Sequence, residues 1–470
     1  MNAKNLLLPA CLAVLLAGCS LEPTYTRPEA PVPADWPKGP AYRDTVTAPG
    51  APAAADLGWR EFFPDRKLQE VIEMALNNNR DLRLAALNVE RARGLYGIGR
   101  GELFPTIDAV GSERKQRAPA STFGGDGGAI TTTRYDVNVS VPSWEIDFFG
   151  RIRSLEDQAL EEYLATEQAR RSARILIVSD VANAYLVLAA DRENFRLSES
   201  TMETQQAVYD LVRRRYQLGL VSELDLRRAQ SSVDQARAST ARFVQLVAQD
   251  ENALDLLAGA KVPGDLLPEG LESVLPPREI SAGLPSEVLL RRPDILAAEH
   301  RLKGANANIG AARAAFFPRI SLTAAFGTAS SELSGLFGAG SSAWTFSPVA
   351  VMPIFDARTW PALTVSRVDR EIAVAQYQRA IQSAFREVAD ALAVRGTVSR
   401  EIAALQSLVD ANERTYRLSI VRFEKGIDDN LGVRDAQRSL FAAQRALIEV
   451  RLAAIANQVR LYAALGGGGE

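Results

Sequence analysis

Apolar positions along this chain hold a helical period for very long stretches and switch to alternation in between. From Gly150 to about Gln217, Ile152, Leu155, Ala159, Tyr163, Thr166, Ala169, Ala173, Ile177, Val181, Ala184 and Leu188 step by three or four. That spacing lines one face of an α-helix. No proline and no internal glycine interrupts the run, which predicts a helix over ~150–217, roughly 100 Å long at 1.5 Å per residue. Residues ~358–425 repeat it, and shorter helices over ~222–257 and ~430–464 follow each long one. Alanines 159, 169, 173 and 184 on the inner stripe let neighbouring helices approach closely, as in an antiparallel coiled coil.

Helical spacing also runs over Asp65–Glu102 and Ser286–Ala315 and ends at Pro105 and Pro318, because proline removes a donor and clashes with the preceding turn. Alternation follows. Ile320, Leu322, Ala324 and Phe326 interleave with Ser321, Thr323, Ala325 and Gly327; Tyr135, Val137, Val139 and Val141 interleave with Asp136, Asn138 and Ser140. Strands are predicted over ~106–117, ~133–147, ~319–333 and ~344–356. One apolar and one small or polar face suits a strand between lipid and a wet lumen. A half-buried sheet of a soluble protein has the same alternation.

The pattern occurs twice. At an offset of 213, Asp81-Leu82 matches Asp294-Ile295 and Leu103-Phe104-Pro105 matches Phe316-Phe317-Pro318; at 207, Val181-Ala-x-Ala184 matches Val388-Ala-x-Ala391. The chain reads as a tandem duplication. Repeat 1 covers 61–262 and repeat 2 covers 285–466, with a Pro/Gly-rich linker over 263–284 and a short tail over 467–470. The six-residue change of offset is expected in the connection between strands.

The best-matched stretches are VRRRYQLGLVSELDLRRAQSSVDQAR (212–237) and SIVRFEKGIDDNLGVRDAQRSLFAAQ (419–444). Each reads as a helix stopped by Gly219 or Gly426, a tight turn, and a second helix. Ser222 and Asp225 fit a capping box. These are two hairpin tips.

Composition narrows the chemistry. The 470 residues are 47% apolar and 24% charged, with net charge −3, an ordinary folded balance that offers no basic surface for nucleic acid. Cysteine occurs only at 11 and 19, and histidine only at 300. That argues against a disulfide framework, zinc sites and Cys- or His-dependent catalysis. GIGRG (97–101) falls at a helix end before a strand, the reverse of a nucleotide loop. No cofactor and no enzymatic activity are expected.

Residues 1–18 carry Lys4 and the run LLLPACLAVLLAG, a secretory signal. It ends in Leu16-Ala17-Gly18-Cys19, which resembles a bacterial lipobox, so Cys19 is expected to be the lipidated first residue of the mature chain. Ser20 after it suggests, within that resemblance, delivery to the outer membrane. The Pro- and Ala-rich residues 19–60 read as an extended strap. No later stretch looks apolar enough for a membrane helix, so a membrane-spanning part would be a β-barrel. Four strands per chain are too few to close one. Three copies would pool twelve; two would make eight, a barrel filled by its own side chains.

With these features in place the chain resembles the outer-membrane efflux protein family (TolC-like), in its lipoprotein branch. The resemblance rests on DLGWREFFPDRKLQEVIEMALNNNRDLRLAALNVERAR, WEIDFFGRIRS and LLRRPDILAAEHRLKGANANIGAARAAFFPRISL. It implies an α+β membrane protein: a homotrimer with a twelve-stranded outer-membrane barrel, continued by a long periplasmic α-helical barrel with an equatorial belt. It also implies docking to a periplasmic adaptor and an inner-membrane transporter of the resistance–nodulation–division class, and passive export of drugs and toxic amphiphiles. Family members close at the hairpin tips, and the matching positions are Leu431 and Asp435, with Asp225 in the first copy. Arg422 matches a basic residue that helps hold related tips, whereas Asp428 stands where the pattern has an arginine. Leu431 and Asp435 are four apart on one helix face; three copies would form an apolar collar and a carboxylate ring that favours cations. Export of proteins or metal ions, and a coiled-coil lipoprotein scaffold without a pore, are the alternatives. Four methionines give no soft-ligand ladder for Cu(I).

Overall fold

The computed structural model describes residues 20–43, 52–119, 128–282, 289–428 and 430–468. The leader, Cys19, the helical start expected at Ser286 and the end of the tail lie outside the described residues. The elements in chain order are α1 (Arg66–Asn78), α2 (Arg80–Gly101), β1 (Asp108–Ala118), β2 (Ile130–Glu145), α3 (Arg151–Gln217) and α4 (Glu223–Ala258). Then come α5 (Pro293–Ala314), β3 (Arg319–Ser330), β4 (Ser342–Val351), α6 (Thr359–Glu424) and α7 (Asn430–Ala464).

Two compact units divide the chain, and neither is one copy of the duplication. One comprises the described residues up to Pro28 with Val89–Thr166 and Ala298–Tyr377; the other comprises Glu29–Asn88, Glu167–Ala297 and the chain from Gln378. Each unit draws on both repeats.

The first unit holds all four strands in one antiparallel sheet, ordered β1-β2-β3-β4, with β1 and β4 at its edges. Val139 lies opposite Ala109 and Phe326, and Phe326 lies opposite Trp344; Val141, Ala324 and Phe346 form the next row. Residues opposite one another share a face, so these rows make the apolar side. Asn138 opposite Val110 and Gly327, and Ser140 opposite Asp108 and Ala325, lie on the other. The apolar side stays open: Val139 is 55%, Phe346 61%, Phe326 69% and Trp344 73% exposed. The alternation is therefore not that of a dry soluble core.

The register slips once, between Val141 and Trp144. Pro142 sits in that bulge, the place where an internal strand tolerates a residue without an N–H. Glu145 ends β2 by joining three elements: it accepts from Arg151 at 2.8 and 2.8 Å and from Arg319 at 3.1 and 2.7 Å. Asp147 then starts α3, accepting from the backbone N–H groups of Arg151 (2.7 Å) and Arg153 (2.9 Å). A carboxylate there satisfies donors that the first helical turn leaves free.

The strap is fastened to α5 within this unit. Leu21 O accepts from Arg313 (2.9 Å), Glu22 Oε1 and Pro23 O accept from Asn306 (3.2 and 2.7 Å), and Arg27 grips Glu299 through two hydrogen bonds (3.0 and 2.8 Å).

In the second unit α1 buries Leu68, Val71, Ile72 and Ala75, one face of its helix. Asp65 caps it through Leu68 N–H (3.0 Å) and reaches the linker through Leu275 N–H (3.2 Å). Tyr462 stacks on Phe62 with ring centroids 3.9 Å apart and donates to Leu57 O at 2.6 Å. On α6 and α7, Val409, Leu440, Ala443, Leu447 and Val450 form a continuous core flanked by Val398, Ile402 and Leu405.

Several expectations are corrected. The run Asp65–Glu102 is two helices, because Asn79 adopts an extended ψ of 132° and its Oδ1 accepts from Asp81 and Leu82 N–H (2.9 and 3.1 Å). The six-residue difference lies in the strand: β2 has 16 residues and β4 has 10, while the connections 119–129 and 331–341 are equally long. β4 stops at Val351, short of ~356, just before Pro353. The inner stripe of α3 is too narrow an account, since Ala182, Tyr185, Leu186 and Ala189 are buried as well. The same breadth makes part of α3 apolar enough to cross a membrane by length and composition, but most of that part is buried inside the protein.

Candidate functional site

Both long helices, α3 and α6, end in the second unit and end in the same way. Gly219 (φ 73°) and Gly426 (φ 69°) take the left-handed conformation that glycine adopts without steric cost. Leu220 N–H donates to Arg215 O and Gly219 N–H to Tyr216 O, both at 2.9 Å. In the second copy Ile427 N–H reaches Arg422 O (2.9 Å) and Gly426 N–H reaches Phe423 O (3.0 Å). This paired pattern closes the last helical turn on itself, so the tip turns sit where the sequence places them.

The copies differ in what starts the return helix. In the first, Ser222 Oγ accepts from Asp225 N–H (3.2 Å), while Asp225 Oδ2 accepts from Ser222 N–H (3.2 Å) and its hydroxyl (2.6 Å). Asp225 is thereby held in the cap. In the second, the position matching Asp225 is Gly432, and Asp435 lies further along α7. Asp435 pairs with Arg438 at 3.6 Å. It lines a cavity of about 200 Å³ with Ser198 and Gln205 of α3, Ser231 of α4, and Arg434. Leu431, one turn before Asp435, is 43% exposed.

Among the described residues, Arg422 forms no ion pair with Asp225 or Asp435. Its Nε and an Nη donate to Asp428 at 2.5 and 2.9 Å, a bidentate grip across its own turn. Those hydrogen bonds hold the Asp428 carboxyl below its usual range. The residue that departs from the family pattern is thus the one that captures the basic side chain.

Phe423 was not among the sequence candidates. It forms a core with Val212, Ala229 and Val433, so the two hairpins share one apolar centre. Arg215, the last of three consecutive arginines at 213–215, has its guanidinium 4.8 Å over the Phe423 ring. The signal available was the repeat itself: Tyr216 and Phe423 are the same position in two copies, and an aromatic kept in both marks a packing site.

Higher on the same helices, Asp191 and Asp250 interact directly. Burial, then the charge of Asp191 and a hydrogen bond with it, push Asp250 up to about 6. Burial also raises Asp191, against Asn194, Arg445 and Arg242. His300 lies in the first unit, with Nδ1 2.6 Å from Glu161. Among the described residues no cluster of three metal-ligating side chains occurs.

Comparison with known proteins places this geometry. The family model "Outer membrane efflux protein" matches residues 71–260 and 284–467. The chain is 48% identical over 466 residues to the toluene efflux pump outer membrane protein TtgC of Pseudomonas putida, covering 99% of this chain and 96% of that protein. It is 42% identical over 460 residues to the outer membrane protein OprJ of Pseudomonas aeruginosa, covering 97% and 94%. The fold is similar to the open state of the Neisseria gonorrhoeae MtrE outer membrane channel, with TM-score 0.86, 36% identity, and coverage of 96% of this chain and 99% of that one.

Proposed function

This chain belongs to the outer membrane efflux protein family, and from that premise we propose that it is the outer-membrane channel subunit of a tripartite efflux system. The observation that carries the reading is the sheet. Four strands with an open apolar side and two edge strands, β1 and β4, accompany helices of 67 and 66 residues on the same chain. Backbone groups at a sheet edge facing lipid need partners. Three copies joining β4 to the next β1 complete a twelve-stranded ring.

Cys19 carries the lipid anchor, and the fastening of Leu21, Glu22, Pro23 and Arg27 to α5 supports it by fixing the chain just beyond the anchor. The long helices form the periplasmic duct, and the twin tips close it. Leu431 and Asp435 from three copies form the collar and the carboxylate ring, while Asp225 and Arg422 act by stabilising the turns. Exposed ion pairs are individually weak, so the tips stay shut alone and yield to an adaptor that binds the open form better. An inner-membrane pump of the resistance–nodulation–division class drives the cargo. Because relatives carry names such as toluene efflux pump, the cargo is apolar or amphiphilic drugs and solvents.

Deletion of the gene, followed by a drug and solvent susceptibility panel, tests the reading. Sensitisation restored by the wild-type copy is expected. Unchanged susceptibility, together with no channel activity of purified protein in planar bilayers, would overturn it.

A further inference from the structure

We propose that the second unit carries a binding site for a small, multiply charged oxyanion, which the channel reading does not require. The site is a cavity of about 740 Å³ whose wall includes Arg170, Arg171, Arg174 and Arg291. Arg60 also lines it, but is paired with Glu73 at 2.9 Å. Asp56 is the other carboxylate on this wall among the described residues. Among those residues, none of the four arginines has an ion-pair partner, and Nε of Arg174 is buried without an acceptor.

An unpaired buried donor is costly and is ordinarily satisfied by a ligand, water or ion. Arg170 and Arg174 are one helical turn apart and share a side of α3, so both reach the cavity, with Arg171 and Arg291 beside them. Arg170, Arg171 and Arg291 stand exposed on the cavity wall and Arg174 is half-buried, so a ligand with two or more negative charges can engage several guanidinium groups at once. The planar fork of arginine matches the paired oxygens of phosphoryl and carboxylate groups. The chain as a whole is slightly acidic, with net charge −3, so this positive cluster is a local feature and not an average one. Shared chemistry defines the ligand: a compact oxyanion with at least two charged groups.

Trp59 lines the same cavity, with the Arg60 guanidinium 4.6 Å over its ring, which supplies a fluorescence probe. Full-length protein in detergent is titrated with sodium pyrophosphate and, in a separate arm, with citrate, by calorimetry and tryptophan fluorescence at low salt. Saturable binding of one anion per chain is expected, weakened at least tenfold in R170Q/R174Q. The charge-keeping R170K/R174K binds several-fold more weakly than wild type, because the forks are gone, and it replaces the Gln pair if that variant fails to fold. The preferred anion tells phosphoryl from carboxylate ligands. Absence of saturable binding by either anion overturns the proposal; so does wild-type affinity in both double variants. Carboxylates supplied by a neighbouring copy would give the first of these results.

Discussion

The guanidinium of Arg215 lies 4.8 Å above the ring of Phe423, so a side chain from the first hairpin covers an aromatic from the second. Phe423 is 8% exposed, whereas Tyr216, the same position in the other copy, is 40% exposed. Duplication supplied two equivalent aromatics. Packing gave one of them to the shared core of the tips and left the other at the surface.

Truncation should expose that asymmetry. Phe423→Ala removes a buried ring and should cost about 3 kcal/mol or more, loosening both tips; Tyr216→Ala should cost much less. Hydrogen exchange of residues 208–233 and 416–440 reads the difference, and single-channel conductance should rise only for Phe423→Ala. Equal effects would mean that the two hairpins do not share a core.

Arg422 and Asp428 should behave as one unit. Because each holds the other across a single turn, Arg422→Ala and Asp428→Ala should raise conductance to a similar degree, and the double variant should add little. A purely additive double variant would indicate that Arg422 holds something other than Asp428.

Asp435 is expected to set ion preference and Leu431 to set resistance. In a salt gradient across a planar bilayer, Asp435→Asn should shift the reversal potential toward that of a non-selective pore. Leu431→Ala should raise conductance with the reversal potential unchanged. An unaltered reversal potential in Asp435→Asn would remove it from the ion path.

Asp250 gives a pH dependence of defined sign. Its folded value of about 6 is raised above the unfolded carboxylate value near 4, so the native state binds the proton more tightly between them. That contribution to stability is complete below about pH 4 and is lost as pH rises through about 6. Asp191 is raised as well and acts in the same direction. Relative to Asp250→Asn, wild-type Tm should therefore fall between pH 4 and pH 7. Parallel Tm curves for the two proteins, measured by differential scanning fluorimetry, would show that the carboxyl pair is not coupled to folding.

Much of the architecture was legible in residue order because it depends on local causes. Proline ends the helical run before each strand, an uninterrupted 3.6-residue period makes a 67-residue helix, and Gly219 and Gly426 stop both long helices because few other residues take a positive φ cheaply. The Ser222–Asp225 cap is equally local, since its partners are three residues apart. What the order of residues missed was non-local or competitive. Asn79 splits an unbroken apolar pattern because its side chain substitutes for helical acceptors. The second strand, and not its connection, absorbs the six-residue difference between repeats.

Only the tertiary structure decided which pieces fold together and which charges meet. The compact units cut across the duplication, because strands pair with strands and long helices with long helices whichever copy they come from. Arg422 turned to Asp428 because that carboxylate comes within reach once the turn forms, a competition that spacing along the chain cannot rank. The four arginines at 170, 171, 174 and 291 look like scattered surface charges in sequence. They became a site only when folding brought α3 beside the start of α5, since electrostatic energy depends on distance in space and not on separation along the chain.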